Sequence, residues 1–142
     1  MAEISDIEEE CEDLDWYAVD ESGYIGHFAT GGRGFLPRSV KNSSENRLTL
    51  HSFFVELPVS CAGIHNDAAG NNEFFLAMSG RGLYSYDYSP GKGRNLGYSR
   101  NCIPTSPLKV EVCPEEIQAI LKHTISYVLF SQAENVSPQM FL

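Results

Sequence analysis

The sequence predicts an α+β two-layer domain, with four to five mostly antiparallel strands and two main helices packed on the sheet. Three observations predict it. Runs rich in aromatic and β-branched residues are separated by short glycine turns, two other segments carry helical spacing behind good helix starts, and the two kinds of element do not alternate strictly as β-α-β. At 142 residues, 42% apolar and 20% charged, the chain is one globular domain's worth. Folding at this size buries roughly two thirds of the surface an unfolded chain exposes, so the core needs no disulfide or metal to close it.

Asp15-Trp16-Tyr17-Ala18-Val19-Asp20 and Tyr24-Ile25-Gly26-His27-Phe28-Ala29 flank Glu21-Ser22-Gly23 and read as a β-hairpin. Gly31-Gly32-Arg33-Gly34 reads as loop, and Phe35-Leu36-Pro37 as a lid folding back over one end of the sheet. Ser43 and Ser44 offer N-caps with Glu45 in the first turn. Leu50, Phe53, Phe54 and Leu57 then recur at helical spacing until Pro58, which predicts an amphipathic helix over 44–57 with an aromatic buried stripe. Residues 59–71 lack a period and read as loop, and residues 73–79 as a short helix closed near Gly80 or Gly82. Tyr84, Tyr86 and Tyr88 alternate with Ser85 and Asp87, the period of a strand over 83–88. Pro90, Gly91 and Gly93 turn the chain, and residues 96–103 return as the partner strand. Pro114 before Glu115 and Glu116 starts a helix whose buried face is Ile117, Ile120 and Leu121. Residues 125–130 read as a final strand or as an extension of that helix.

The net charge of −9 sits at one end of the chain. Residues 1–21 hold Glu3, Asp6, Glu8, Glu9, Glu10, Glu12, Asp13, Asp15, Asp20 and Glu21 with no Lys or Arg, whereas the remaining residues carry nine acids and ten bases and are close to neutral. Like charges repel along the chain, so residues 1–14 read as an acidic, flexible leader ahead of a single domain over 15–142. Such a block solubilises the protein, or steers it toward a basic partner and away from nucleic acid. No stretch approaches the ~18 to 20 consecutive apolar residues of a membrane span. The N-terminus opens on acids rather than on a basic and then apolar signal, so the expected location is cytoplasmic.

Cys11, Cys61, Cys102 and Cys113 form no C-x-x-C pair, and reduced thiols are expected. Cys61, His65 and Asp67 offer half of a zinc ligand set with no second half in view. Neither glycine cluster, 31–34 or 91–94, carries the Lys-Ser/Thr ending of a phosphate loop, and no nucleophile elbow, H-E-x-x-H helix or EF-hand loop is present. No cofactor, no metal and no catalytic residue are therefore expected, and the chain does not read as an enzyme. Asp15, Asp20 and Asp87 stand at the ends of predicted strands, where an acid caps a turn or, desolvated beside a second titratable group, works as acid or base. The Tyr84, Tyr86 and Tyr88 stripe is core if a helix covers it. On an open face beside Arg81 or Arg100 it is a binding surface.

The segment over 15–20 with Gly23, then Ile25-Gly26-His27-Phe28-Ala29-Thr30-Gly31-Gly32 and Leu36-Pro37-Arg38-Ser39-Val40, resembles a group of small bacterial proteins marked by D-W-F-A-V-D, G-H-F-T-x-G-G and L-P-x-S-V. Arg81-Gly82-Leu83-Tyr84-Ser85-Tyr86-Asp87 resembles that group's R-G-L-Y-x-Y-D, and Pro107-Leu108 with Pro114-Glu115-Glu116-Ile117 resembles its closing segments. The likeness spans most of residues 15–121. Such proteins are similar in size and acidity to immunity proteins that neutralise polymorphic toxins in interbacterial competition, including toxins delivered by type VI secretion. The resemblance implies a monomer or weak homodimer that occludes the active site of a basic, cytoplasm-acting toxin domain, without touching nucleic acid or membrane itself. The expected contact residues are Glu8, Glu9, Glu10, Glu12, Asp13, Asp15, Asp20, Glu21, Tyr84, Tyr86, Asp87 and Tyr88. Two alternatives stand beside this expectation: a ligand-binding domain or enzyme with a sheet–helix pocket using His27 or His65, and an adaptor that homodimerises through a sheet edge.

Overall fold

The computed structural model describes residues 2–32, 34–65, 73–88 and 97–141. Within them, β1 (Asp15–Asp20), β2 (Ile25–Ala29), β3 (Gly63–His65), β4 (Tyr84–Tyr88), β5 (Tyr98–Pro104), β6 (Ile125–Ser126) and β7 (Asn135–Val136) form one sheet. The strand order is β3-β5-β4-β2-β1-β6, with β7 also paired to β5. The helices are α1 (Asp6–Cys11), α2 (Arg38–Lys41), α3 (Ser44–Glu56), α4 (Glu73–Ser79) and α5 (Glu115–Leu121). The α+β class holds, but the sheet is larger than expected and mixed. β1 pairs with β2 and β4 with β5 antiparallel, while β2 pairs with β4 and β1 with β6 in parallel. A parallel pair needs a crossover, and the helical stretch between β2 and β4 supplies one.

The hairpin forms as the residues dictate, with Gly23 at φ 84° and its N–H donating to the Asp20 carbonyl at 3.0 Å. Ser43 caps α3 by accepting the Asn46 N–H at 3.1 Å, and Pro114 precedes α5 as expected. The buried stripe of α3 is narrower than its spacing implies: Leu50 and Phe54 are buried, Phe53 and Leu57 only partly. Three segments differ from the reading. Gly63–His65, inside the stretch read as loop, is a strand because Ile64 pairs with Ile103 across β5. Of residues 125–130 only the first two are strand, and the chain then turns so that Phe130 enters the core. The turn expected over 89–95 lies outside the described residues.

The two-layer expectation is also corrected, because both faces of the sheet are covered. On one face Tyr17, Val19 and Ile25 pack against α3, α4 and α5 through Leu50, Phe54, Met78, Ile117 and Leu121. On the other face Trp16, Phe28 and Tyr86 are direct cross-strand neighbours on β1, β2 and β4. They stack with ring centroids 4.1 and 4.9 Å apart. Leu36, Val40, Tyr98, Phe130, Val136 and Phe141 close over this row, so the lid over 35–37 does fold back on the sheet. Arg81 locks the helix layer from beneath: its guanidinium donates to the carbonyls of Val55, Leu57 and Ala77, and so caps the C-terminal turns of α3 and α4.

Candidate functional site

The acidic segment before β1 is folded. Ser5 accepts the Glu8 N–H at 3.1 Å while the Glu8 carboxylate accepts the Ser5 N–H at 3.1 Å, a capping box that starts α1. Ile4 is 2% exposed and anchors the segment in the core. Its N–H donates to the Lys41 carbonyl at 2.8 Å, and the Ser44 N–H donates to Ala2. Lys41 ion-pairs with Asp6, and with Glu9 at 2.8 Å; Glu9 also accepts the Leu36 N–H at 2.9 Å. The Lys41 ammonium holds the Asp6 carboxyl below the ordinary carboxylate value, and Asp6 and Glu9 in turn raise Lys41. The segment read as a leader thus carries a helix docked on the domain, with Lys41 pairing two of its acids. Asp6 is exposed on the helix, and Glu3, Glu12 and Asp13 are exposed on the segments that flank it, with Asp13 accepting the Gly31 N–H at 3.0 Å. The Glu10 side chain lies outside what the structure describes.

The other residues expected at a partner surface separate into distinct roles. Asp20 is buried and accepts the N–H groups of Ser22, Tyr24 and Phe130 at 2.9, 3.0 and 2.9 Å, so it fixes the hairpin turn and the C-terminal segment rather than a partner. Tyr84 and Tyr86 are 6% and 0% exposed, and the open aromatic face expected of them is filled by Phe130 and its neighbours. Tyr86 donates to the Ala133 carbonyl at 2.6 Å. Tyr88 is half-buried, its ring 5.6 Å from Tyr98. Asp87 is half-buried, and burial raises its carboxyl above the usual value. Glu21 is exposed at the end of β1 remote from Asp13.

Asp15 belongs to a polar line across the helix-covered face. Its carboxylate accepts from His27 Nε2 at 2.8 Å, and His27 Nδ1 meets Ser85 Oγ at 3.1 Å. A carboxylate only accepts, so Nε2 carries a proton and a neutral ring then accepts from Ser85. His27 and Ser85 are fully buried, and the Phe74 and Phe75 rings pack on the imidazole with centroids 5.4 and 5.9 Å away. Beside them, Tyr17 and His51 share a hydrogen bond at 2.8 Å, and burial lowers the His51 pKa. The line fixes the imidazole between two partners, and its serine is fully buried. The sequence shows Ser85 only as a strand residue and His51 only as a histidine in a separate segment, because both lie far from His27 along the chain and form no short motif with it.

Two further sites of the reading resolve differently. The Cys61 thiol donates to the Ser79 carbonyl at 3.3 Å rather than joining His65, and no group of three or more His, Cys, Asp or Glu could hold a metal among the described residues. Asp67 and the glycine cluster over 91–94 lie outside those residues. At the sheet edge, β3 and β7 both pair with β5 on its outer side. Where they part, a notch of about 390 Å³ opens between Ile64, His65, Asn101, Ile103, Glu134 and Asn135. No helix among the described residues is long and apolar enough to cross a membrane. No family model matches the chain, and no curated protein or solved structure matches it either.

Proposed function

We propose that the chain is a stoichiometric inhibitor, an immunity protein that binds a basic toxin domain acting in the cytoplasm and occludes its active site. The observation that carries this reading is the α1 ridge. Glu3, Glu12 and Asp13 are exposed on the segments that flank α1, and Asp6 on α1 itself, all held in place by the capping box, the Lys41 latch and the Ile4 anchor. A ridge ordered before contact loses little conformational entropy on docking, and its field accelerates encounter with a basic surface. The contact surface in this reading comprises the exposed acids of residues 3–13, without Asp20, Tyr84 or Tyr86. Glu8 and Glu9 hold the ridge rather than meet the partner. The test is capture of the partner from the cells that make the protein, followed by co-expression of the captured domain. A basic domain whose toxicity is abolished at a 1:1 ratio supports the reading. A captured protein that is neither basic nor toxic overturns it.

A second reading rests on the edge notch. Its volume falls within the few hundred cubic ångströms typical of small-molecule sites, and its lining mixes apolar Ile64 and Ile103 with Asn101 and Glu134. A thermal-shift screen of small polar metabolites tests it, with Glu134→Gln as control. A ligand whose stabilisation disappears in that variant would favour binding of a small molecule over toxin inhibition.

A further inference from the structure

We propose that the crevice between α2, α3, α5 and β1 is an anion site sized for one chloride ion, with Arg47 as its charged donor. The cavity measures about 20 Å³ and is lined by Tyr17, Ser39, Asn46, Arg47, His123 and Thr124 among others. That volume takes a single small guest, of the order of one water molecule. The site is independent of the inhibitor reading and lies on different residues.

The donor set selects the guest. Arg47 donates one bond, from Nη1 to the Asp15 carbonyl at 2.9 Å. Its Nε is buried and has no hydrogen-bond partner, the one such side-chain nitrogen or oxygen among the described residues. The ion pairs of the described residues are His27 with Asp15 and Lys41 with Asp6 and Glu9, so no carboxylate pairs with Arg47. Arg47 itself is half-buried, but a buried donor left without an acceptor is costly, and an anion at Nε supplies both the acceptor and a counter-charge. Ser39 Oγ and Thr124 Oγ1 lie 2.6 Å apart. One of the two hydroxyl protons makes that bond and the other remains to donate. The Asn46 amide adds N–H donors, and no Asp or Glu lines the cavity. Hydroxyls and the Asn46 amide can donate to an anion or exchange bonds with a water, and the Arg47 charge is what favours the anion.

The experiment uses the intact chain. Crystals equilibrated in sodium bromide are measured at the bromine absorption edge, and the ³⁵Cl linewidth is followed as protein is titrated into sodium chloride. The proposal expects an anomalous peak within hydrogen-bond distance of Arg47 Nε. It also expects excess chloride broadening that saturates in the wild type and is lost in Arg47→Met. If that variant fails to fold, Ser39→Ala takes its place and is expected to weaken the broadening. A non-anomalous water at Nε in saturating bromide overturns the proposal, as does chloride broadening that is the same in wild type and variant.

Discussion

Replacing Asp20 by Ala separates a structural acid from a partner-binding one. The carboxylate accepts three N–H groups, and Phe130, which supplies one of them, is fully buried. Leaving a buried donor without its charged acceptor costs about 2 kcal/mol, and the two part-buried turn bonds add roughly 0.5 to 1 kcal/mol each, for a total of about 3 kcal/mol. In a domain of this length that loss lowers Tm by roughly 10 °C. Urea unfolding followed by tryptophan fluorescence is the assay, because Trp16 lies at the centre of the core that Phe130 completes. An unchanged m-value with a lower midpoint is the expected signature. Asp20→Asn retains one carbonyl acceptor and should recover about half of the loss. A cost below about 1 kcal/mol would refute the reasoning, because three made hydrogen bonds of this kind cannot be worth so little.

Tyr86→Phe removes the hydroxyl that serves the Ala133 carbonyl and should cost about 1 to 2 kcal/mol in the same unfolding assay, while partner affinity stays unchanged. Burial lowers the His51 pKa in the fold, so the unfolded chain binds more protons as pH falls below about 6.5. Stability should therefore fall with pH from about 6.5 down to the lowered value in the fold, and His51→Gln should flatten that slope in denaturation curves taken across the window. Lys41→Met removes the latch on α1, and hydrogen exchange should accelerate at the amides of residues 6–12 while those of β1 and β2 keep their protection. Unchanged exchange in α1 would show that Ile4 and the capping box suffice without the lysine.

Local chemistry made much of this fold legible, and long-range contacts account for most of the rest. Gly23, Ser43 and Pro114 act within a few residues of themselves, so the hairpin, the start of α3 and the start of α5 follow from the sequence. Like-charge repulsion along the sequence argues against α1, and its relief is a long-range contact. Ser5 and Glu8 form a readable S-x-x-E box, but Lys41 stands over 30 residues away. The alternation of Tyr84, Tyr86 and Tyr88 identifies a strand with two faces. It carries no information on what covers each face, and the cover comes from Phe130 and Phe141 in segments without period. β3 and β6 are three and two residues long and exist by virtue of partners on β5 and β1. The same distance hides the buried polar line: His27 is visible as a residue, but Ser85 joins it only because β2 and β4 run side by side, whereas the acids of the ridge are legible as a block.

The central claim is that the folded acidic ridge recognises a basic partner, and one binding measurement tests it most directly. Glu3→Gln, Glu12→Gln and Asp13→Asn are combined, which removes three charges while sparing the Glu8 cap and the Glu9 latch. Association with the captured partner domain is then measured at low and high salt against the wild type. The account predicts an association rate lowered roughly 10- to 100-fold at low salt, a weaker salt dependence and an unchanged Tm. An association rate and salt dependence equal to the wild type's would contradict it.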